Sequence, residues 1–334
     1  MKILYHIPYP NALDAGRFIY DGWSDAFKSL GHSVLPLTAS DNIIDKVQEI
    51  KPDIFISAVN LVPPGQKEFI YKEIKKCGTK ILLWVDWPLD PTDLELFKNK
   101  DIVDVYFGER ELSSMEDFIK QTGQNYHLIA NAANKKIHFP VPPSPKYEYD
   151  IVYLGACLPM KKKFFEEVLF PLRKKYKVGI FGPGWTKKDF FLGLCSRISR
   201  KLKFHGLVKF FNILRISVPI NEENLLYSSA KIALNFHEQD SEGGYSHNII
   251  NQRTFKIPAC GGFEICDNVP ALRNYFKDDE VVVAKEKEDW GRLIEYYLSH
   301  PDERIKIQKK GTSRALSDHT YEERAKQILD LCKG

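Results

Sequence analysis

The stretch from Ser241 to Pro270 has the composition of an anion-binding half-site. Gly243 and Gly244 would let the backbone approach a ligand closely, because glycine has no side chain. A helix is predicted to follow them, with its free N–H groups and positive dipole end facing the anion. Arg253 lies on this predicted helix, and a guanidinium group forms forked hydrogen bonds to phosphate oxygens. The pattern predicts phosphate binding, and the alternative role of Arg253 is an ordinary surface or interdomain salt bridge.

The same stretch carries a longer motif around Arg253. It reads Asn251-Gln252-Arg253-Thr254-Phe255, then Pro258-Ala259-Cys260-Gly261-Gly262-Phe263, then Asp267. This motif resembles the C-terminal signature of CgeB-like glycosyltransferases, members of the GT-B group with a glycosyl transferases group 1 domain. Weaker similarity extends over four further segments, which are Tyr149–Gly155, Val178–Trp185, Leu226–Asn235 and His319–Arg324. The resemblance implies a binding site for a nucleotide-sugar donor.

Two positions depart from the family pattern. The family usually has a Glu where this chain has Lys256, and retaining relatives have the first Glu of a spaced pair where it has Asn248. In related retaining enzymes the Glu at the Lys256 position is expected to hold the nucleotide ribose, and a lysine cannot accept hydrogen bonds from ribose hydroxyls. These changes leave nucleotide choice, and activity itself, open.

Further donor-binding candidates lie at predicted strand ends in the second half of the chain. Gly182 and Gly184 follow a predicted strand, at the edge where open α/β sheets bind ligands. Trp185 beside them could stack on a base or pack as a plug against the turn. Asn235 ends the next strand, and both it and Asn248 are candidates for hydrogen bonds to ribose or sugar hydroxyls.

Lysines are also candidates for the diphosphate. Lys162 lies in a triplet with Lys161 and Lys163 that opens the first predicted helix of the second half, although such triplets are usually solvated. Lys256 follows Arg253 by three residues and either contacts phosphate or points to water.

The acceptor side is expected in the first half of the chain. Asp14 and Gly16 lie in the loop after the first predicted strand, and Asp14 is either a general base or a helix cap. Asp86 ends an apolar strand and is an equal candidate for the base, followed by Trp87, which suits stacking on a sugar ring. His6 ranks lower, since a lone histidine in a strand is more often a satisfied core group.

Short apolar runs alternate with helical patterns in both halves, which predicts parallel sheets joined by crossover helices. The expected fold is α/β and GT-B-like, with two doubly wound Rossmann-like domains and C-terminal helices. The predicted parts are an acceptor-side domain over 1–138, a proline-rich linker over 139–149 and a nucleotide-sugar-binding domain over 150–318. A last helix over 319–334 could pack back on the first domain.

Residues 185–218 interrupt this alternation with a helical insertion that is rich in Phe, Leu and Ile and contains interleaved basic residues. Leu207, Phe210, Phe211 and Leu214 have helical spacing, which suits an interfacial helix. Peripheral membrane contact through 197–215 is one prediction, and an ordinary surface helix is the other.

Composition excludes several classes of protein. The net charge of +4 is too small to indicate a nucleic-acid partner. The six cysteines are scattered without a C-x-x-C pair, so neither a zinc site nor a disulfide framework is predicted, and a reducing cytoplasm fits best. Pro8 and Pro10 interrupt the N-terminus too early for a signal-peptide core, and no uncharged apolar run reaches the ~18 residues of a spanning helix.

The sequence therefore predicts a cytoplasmic glycosyltransferase, of hexosyltransferase type, at most peripheral at the inner face of the membrane. It would move a sugar from a nucleotide-diphosphate donor to a hydroxyl of a glycan, such as a cell-envelope glycan, of a lipid-linked acceptor or of a small molecule. No cofactor is expected, and the absence of a D-x-D pair favours a metal-independent mechanism. The alternatives are a nonhydrolysing sugar-nucleotide epimerase and a catalytically silent sugar-nucleotide or glycan-binding protein.

Overall fold

The computed structural model describes residues 1–10, 15–237 and 249–333. For Ala15 and His205 it describes the backbone and not the side chain. Within the described residues the strands form two parallel sheets, one of six strands and one of five. The first sheet contains β1 Lys2–His6, β2 Ser33–Leu37, β3 Ile54–Ala58, β4 Lys80–Trp84, β5 Val105–Gly108 and β6 Tyr126–Leu128. The second contains β7 Ile151–Leu154, β8 Val178–Phe181, β9 Ile232–Asn235, β10 Glu264–Asp267 and β11 Val282–Ala284.

Helices connect the parallel strands. Those before the second sheet are α1 Ala15–Ser29, α2 Ile43–Ile50, α3 Lys67–Lys76, α4 Pro91–Phe97 and α5 Glu116–Thr122. Those that follow β7 are α6 Pro159–Glu167, α7 Leu169–Leu172, α8 Lys187–Lys201, α9 His205–Leu214, α10 Glu223–Ser229, α11 Arg253–Ala259, α12 Lys287–Ser299, α13 Pro301–Asp318 and α14 Tyr321–Leu331. None of the helices described is long and apolar enough to cross a membrane.

Local sequence signals explain several helix ends. The side chain of Asn42 accepts hydrogen bonds from the backbone at the start of α2, and Asp90 does the same for α4, where Pro91 takes the first helical position. The chain turns after α1 at Gly31, whose φ of +83° is left-handed and therefore suits glycine.

Both sheets are doubly wound. The first has the order β2-β1-β3-β4-β5-β6 and the second β11-β10-β9-β7-β8. The chain reverses direction across the sheet between β1 and β3, and again between β7 and β9. Ligands of open α/β sheets bind outside the carboxyl ends of the strands at such switch points. The predicted two-domain α/β fold is confirmed.

The described residues form two compact units. The first contains those up to Asn134 together with the last helix, α14, and the second contains those from Lys135 to Thr320, except that Ile249 groups with the first. In the first unit α14 packs on α1, where the ring of Tyr321 lies 5.6 Å from that of Trp23. A Cβ on Gly22 would lie 2.3 Å from the Tyr321 ring, so this close packing depends on glycine.

The proline-rich segment 139–149 is part of the second unit rather than a separate linker. The Val141 N–H donates to Ser228 Oγ at 3.1 Å, and the Ser144 N–H donates to Ser229 Oγ at 2.8 Å. Tyr147 at its end is buried in a core that includes Val152 and Leu226. At the other boundary, His319 and Thr320 belong to the second unit, so the first unit regains the chain only at Tyr321.

Candidate functional site

Arg253 lies at the switch point of the second sheet. Its Nε donates to Asn235 Oδ1 at 3.1 Å and its Nη2 to the Phe236 carbonyl at 2.9 Å, both at the carboxyl end of β9. The guanidinium carbon lies 5.4 Å from the centre of the Tyr153 ring, on β7. The side chain therefore joins the ends of the two strands between which the sheet reverses.

The third nitrogen of Arg253 is available for a ligand. Nη1 makes no hydrogen bond within the described part of the chain, and the residue is only partly buried. A Cβ on Gly155 would lie 2.8 Å from Nη1, so the glycine after β7 leaves the space that this nitrogen occupies. A half-fixed guanidinium group at a switch point is suited to bind a phosphate oxygen.

Asn235 orients Arg253 and does not offer hydrogen bonds to a ligand. It is fully buried, and its Nδ2 donates to Thr254 Oγ1 and to Glu264 Oε1, each at 2.8 Å. Its Oδ1 accepts from Asn251 Nδ2 at 2.9 Å and from Arg253. These four bonds use the full capacity of an asparagine side chain. The structure therefore gives no support to the predicted contact of Asn235 with ribose or sugar hydroxyls.

Glu264 is a buried acid that sequence reasoning missed. It is 3% exposed, and its Oε2 has no hydrogen-bond partner among the described residues. Burial raises the pKa of this carboxyl well above its ordinary value, which favours the protonated, neutral form. A neutral Glu264 can accept from Asn235 without the full cost of an isolated buried charge.

His237 and Asp267 form a buried dyad beside this network. His237 Nδ1 lies 2.6 Å from Asp267 Oδ1, and the His237 backbone N–H donates to Asp267 Oδ2 at 2.9 Å. Together with Cys266 they bring three possible metal-ligand atoms within 4.8 Å of one another in the described residues. His237 Nδ1 and Asp267 Oδ1 already bond to each other, so in this structure the cluster is a hydrogen-bonded one.

The glycine turn after β8 is already satisfied by protein groups. Gly182 and Gly184 have φ values of +115° and +91°, so both positions favour glycine. The Gly182 N–H donates to Ser217 Oγ at 2.7 Å, and the Gly184 N–H donates to the Asp189 carboxylate. A Cβ on Gly182 would lie 2.3 Å from the Gly155 carbonyl oxygen. Their role is the close packing of two loops, so the prediction that these residues contact the donor is not supported.

Trp185 packs as a plug rather than lying open to a base. Its ring stacks on Phe165 with centres 5.2 Å apart, and it meets Tyr153 edge to face. Its Nε1–H donates to the Gly155 carbonyl at 2.7 Å. One face and the polar atom of the indole are in use, which favours the packing role over stacking on a base.

Lys256 neither contacts an open phosphate site nor points to water. It is 7% exposed, and its Nζ lies 2.9 Å from Glu223 Oε2 on α10. The same carboxylate lies 3.3 Å from His138 Nε2. Burial opposes ionisation of Glu223, but Lys256 and the hydrogen bond with His138 outweigh it and lower the pKa to about 2. An ion pair holds the charge of Lys256, so the structure gives no support to its predicted contact with the donor.

The lysine triplet of α6 divides between two environments. Lys161 is buried, whereas Lys162 is exposed and lies 3.8 Å from Glu166, one turn later. An exposed pair at this spacing is typical of a solvated helix face. The structure thus gives no support to a diphosphate contact by Lys162.

In the first unit Asp86 follows the carboxyl end of β4. Its side chain is 74% exposed, and Arg110 Nε donates to its Oδ1 at 2.6 Å. Arg110 is 4% exposed, and its Nη1 is buried with no hydrogen-bond partner among the described residues. Sequence reasoning missed Arg110, which no local motif marks. It orients an exposed carboxylate at the functional edge of the sheet.

A cavity of 430 Å³ lies at the switch point of the first sheet, and Gly16, Tyr9, Ser57 and Trp84 are among its lining residues. His6, also in its wall, bonds through Nδ1 to Ser57 Oγ at 2.9 Å. Burial lowers the pKa of His6 to about 4, so the imidazole is neutral at pH 7. The structure therefore places Gly16 and His6 together in a pocket of ligand size.

Trp87 packs on the ring of Phe118, with centres 6.2 Å apart, and remains partly exposed. Four predicted site residues, Asp14, Gly243, Gly244 and Asn248, lie outside the described residues.

The model of the glycosyl transferase-like family matches residues 161–330, which is half of the chain. The chain belongs to this family. The matched residues include Arg253, Asn235 and Glu264. This family is more general than the CgeB-like group, and membership of that group stays a prediction. No curated protein matches the chain.

Solved structures share the fold over the whole chain. Sucrose-phosphate synthase from Thermosynechococcus elongatus has a TM-score of 0.61 at 13% identity and covers 100% of this chain and 98% of its own. HepE of Anabaena, in complex with UDP and glucose, has a TM-score of 0.63 at 10% identity and covers 100% of both chains. A Listeria monocytogenes protein described as a UDP-N-acetylglucosamine 2-epimerase has a TM-score of 0.56 at 10% identity and covers 99% of this chain and 95% of its own. The likeness confirms the GT-B fold and, at these identities, the fold alone.

Proposed function

We propose that this protein transfers a sugar from a nucleoside-diphosphate donor, with a UDP-sugar as the first candidate, to a hydroxyl acceptor. The observation that carries the proposal is Arg253, whose Nη1 has no hydrogen bond within the described chain at the β7/β9 switch point. Family membership supports transfer as the reaction, and the UDP bound to HepE supports the choice of nucleotide.

In this proposal the second unit binds the departing diphosphate. Arg253 would stabilise the negative charge that grows on the leaving oxygen as the sugar–phosphate bond breaks. Asn235 and the Phe236 carbonyl hold the guanidinium group in place before the donor arrives, so little reorganisation is needed. We further propose that this charge stabilisation operates without a metal ion.

In the first unit the cavity around His6 would bind the acceptor, which is a glycan, a lipid-linked sugar or a small molecule. Asp86, which Arg110 holds in place, would accept the proton of the attacking hydroxyl. His6 is a poor candidate for the base, because its hydrogen bond to Ser57 and its burial already fix it as a neutral group.

The test is UDP release from UDP-sugars, measured with EDTA and again with added Mg²⁺, in the presence and absence of an acceptor panel. Release that depends on an acceptor and persists in EDTA is expected. The likeness to the Listeria protein makes a nonhydrolysing epimerase the alternative. Such an enzyme would change the sugar without net release of UDP. Binding of UDP without either reaction would instead identify a sugar-nucleotide-binding protein.

A further inference from the structure

The helical hairpin formed by α8 and α9 exposes an unusual amount of apolar surface. Phe190 and Phe191 are 64% and 63% exposed, and Phe210 is 54% exposed. Other large apolar residues that are at least two-fifths exposed in this segment are Leu194, Ile198, Leu202, Phe204, Leu207, Ile213, Leu214 and Ile216. Contiguous apolar surface of this kind marks an interaction site.

The residues that this hairpin buries are, in contrast, mostly small or polar. The buried residues of α8 are Asp189, Gly193, Ser196 and Ser199. Ser196 Oγ donates to Asn212 Oδ1 of α9 at 2.8 Å, and Arg215 bonds to Asp189 at 2.9 Å. Small residues and polar bonds between helices, with apolar residues outside, are typical of helix pairs that lie in lipid.

Helical spacing places the two kinds of residue on opposite faces. Phe191, Leu194 and Ile198 recur at intervals of three and four, which is one face of a helix. Gly193 and Ser196 lie on the other face, toward α9. The exposed apolar stripe is therefore a continuous face of α8 and not a scatter of single residues.

Basic residues surround this stripe. Those exposed are Lys187, Lys188, Arg197, Arg200, Lys201, Lys203 and Lys209. Asp189 is the one acidic residue between 187 and 216, and Arg215 neutralises it. Arg197 and Lys201 lie one turn apart beside the apolar stripe, where long side chains can reach a charged headgroup layer.

We infer that the α8–α9 hairpin binds the surface of an anionic phospholipid bilayer. The apolar stripe enters the boundary between headgroups and acyl chains, and the basic residues contact the lipid phosphates. With 15 residues, α8 is about 22 Å long, which is too short to span a bilayer but sufficient to lie along it.

A second copy of this chain fits the surface less well. A symmetric dimer would bring the same basic residues face to face, with no exposed acid in the segment to offset them. The cores of protein interfaces are also depleted in lysine. Lipid is the partner that complements both the charge and the apolar stripe.

The test is co-sedimentation of the whole protein with vesicles of phosphatidylcholine alone or mixed equally with phosphatidylglycerol. Binding to the mixed vesicles alone is expected. The triple change Arg197→Gln, Arg200→Gln, Lys201→Gln should weaken it by about a hundredfold, since each basic residue contributes roughly fivefold near an anionic surface. The triple change Leu194→Gln, Phe210→Gln, Ile213→Gln should weaken it by at least about tenfold.

Matched controls carry equal changes elsewhere. Phe69→Gln, Leu112→Gln, Ile305→Gln removes three similarly exposed apolar residues. Lys72→Gln, Lys76→Gln, Lys98→Gln removes three positive charges that are also exposed. Both should bind vesicles like the parent protein, and circular dichroism verifies folding of every variant. Equal loss in the controls, absence of binding to mixed vesicles, or a lipid-free dimer that the apolar change dissociates would overturn the inference.

Discussion

Arg253 is held at two of its nitrogens and open at the third, which predicts how donor binding responds to its removal. Arg253→Ala should weaken UDP binding by about ten- to a hundredfold, because a charge-assisted hydrogen bond contributes ~1.5 to 3 kcal/mol. Arg253→Lys should recover little, since an ammonium group cannot make the two fixed bonds and reach the ligand as well.

Isothermal titration with UDP measures this effect. Arg273→Ala is the matched control, because Arg273 lies in the same unit and pairs with the exposed Asp278. Equal affinities of the Arg253→Ala and parent proteins would return Arg253 to a purely structural role.

Lys256 shows what the sequence could not reveal. Its partner Glu223 lies 33 positions earlier on α10, and His138 lies in the segment before β7. Only the folded chain brings the three together, so motif position alone suggested a ligand contact. Trp185 has the same explanation, since its plug role depends on Phe165 and Gly155.

Breaking the Lys256–Glu223 pair should destabilise the protein rather than act specifically on donor binding. Lys256→Ala leaves Glu223 buried without its main partner, and a loss of about 3 to 5 kcal/mol is expected. Lys256→Glu should be at least as harmful, because it places two carboxylates together. The double change Lys256→Met, Glu223→Gln should recover much of the loss.

The same cluster predicts a pH dependence of stability. The folded pKa of Glu223, about 2, lies below its ordinary 4.5, so its contribution is complete above pH 4.5 and is lost as the pH falls toward 2. Urea unfolding across this range should show a shallower loss in the double variant than in the parent. A gain in UDP affinity on Lys256→Glu alone would contradict this account and favour a latent ribose contact.

Of the two candidates for the general base, Asp86 is the one that lies within the described residues. Asp86→Asn should lower turnover by about a hundredfold or more while UDP affinity stays unchanged, because the amide keeps the shape but cannot take a proton. Asp101→Asn, at another exposed position of the first unit, should leave both unchanged. Full turnover in Asp86→Asn would leave Asp14 as the remaining carboxylate candidate from the sequence.

At the scale of elements, the loops after β7 and β8 fit together through glycine. Gly182→Ala would force a Cβ against the Gly155 carbonyl, at a φ that costs about 1 to 3 kcal/mol for other residues. Both the melting temperature and UDP affinity should fall, since Gly155 borders the Nη1 of Arg253.

Gly291→Ala is the control for that change, because nothing lies within 4 Å of its added Cβ in α12. It should be neutral or stabilising by about 0.5 to 1 kcal/mol. If the two variants had the same melting temperature and UDP affinity, the loops would not be coupled as the packing indicates.

Elements were more predictable than side-chain roles. The helix α1 and its end at Gly31 can be read from the sequence, because periodicity and turn chemistry are local signals. Arg110 and Glu264 carry no such signal. Their importance comes from burial and from Asp86 and Asn235, which are distant in the chain.

At the scale of the whole molecule, the chain contains two compact units, each with a switch-point feature of its own. The first has a pocket of 430 Å³ around His6, and the second has the guanidinium group of Arg253. A donor bound by Arg253 should therefore protect one unit selectively. A ligand at a hundred times its dissociation constant stabilises the native state by about 2.7 kcal/mol.

Hydrogen exchange followed by mass spectrometry can locate this protection. With saturating UDP in EDTA, exchange should slow in peptides that contain β7, the turn after β8, β9 and α11. It should not slow in a peptide over β1, and Arg253→Ala should abolish the effect. If the same peptides were protected only with added Mg²⁺, the claim of metal-independent binding would be refuted. The location of the nucleotide site would still stand. Protection confined to β1, β3 and β4 would place the nucleotide in the pocket of the first unit and exchange the roles proposed for the two units.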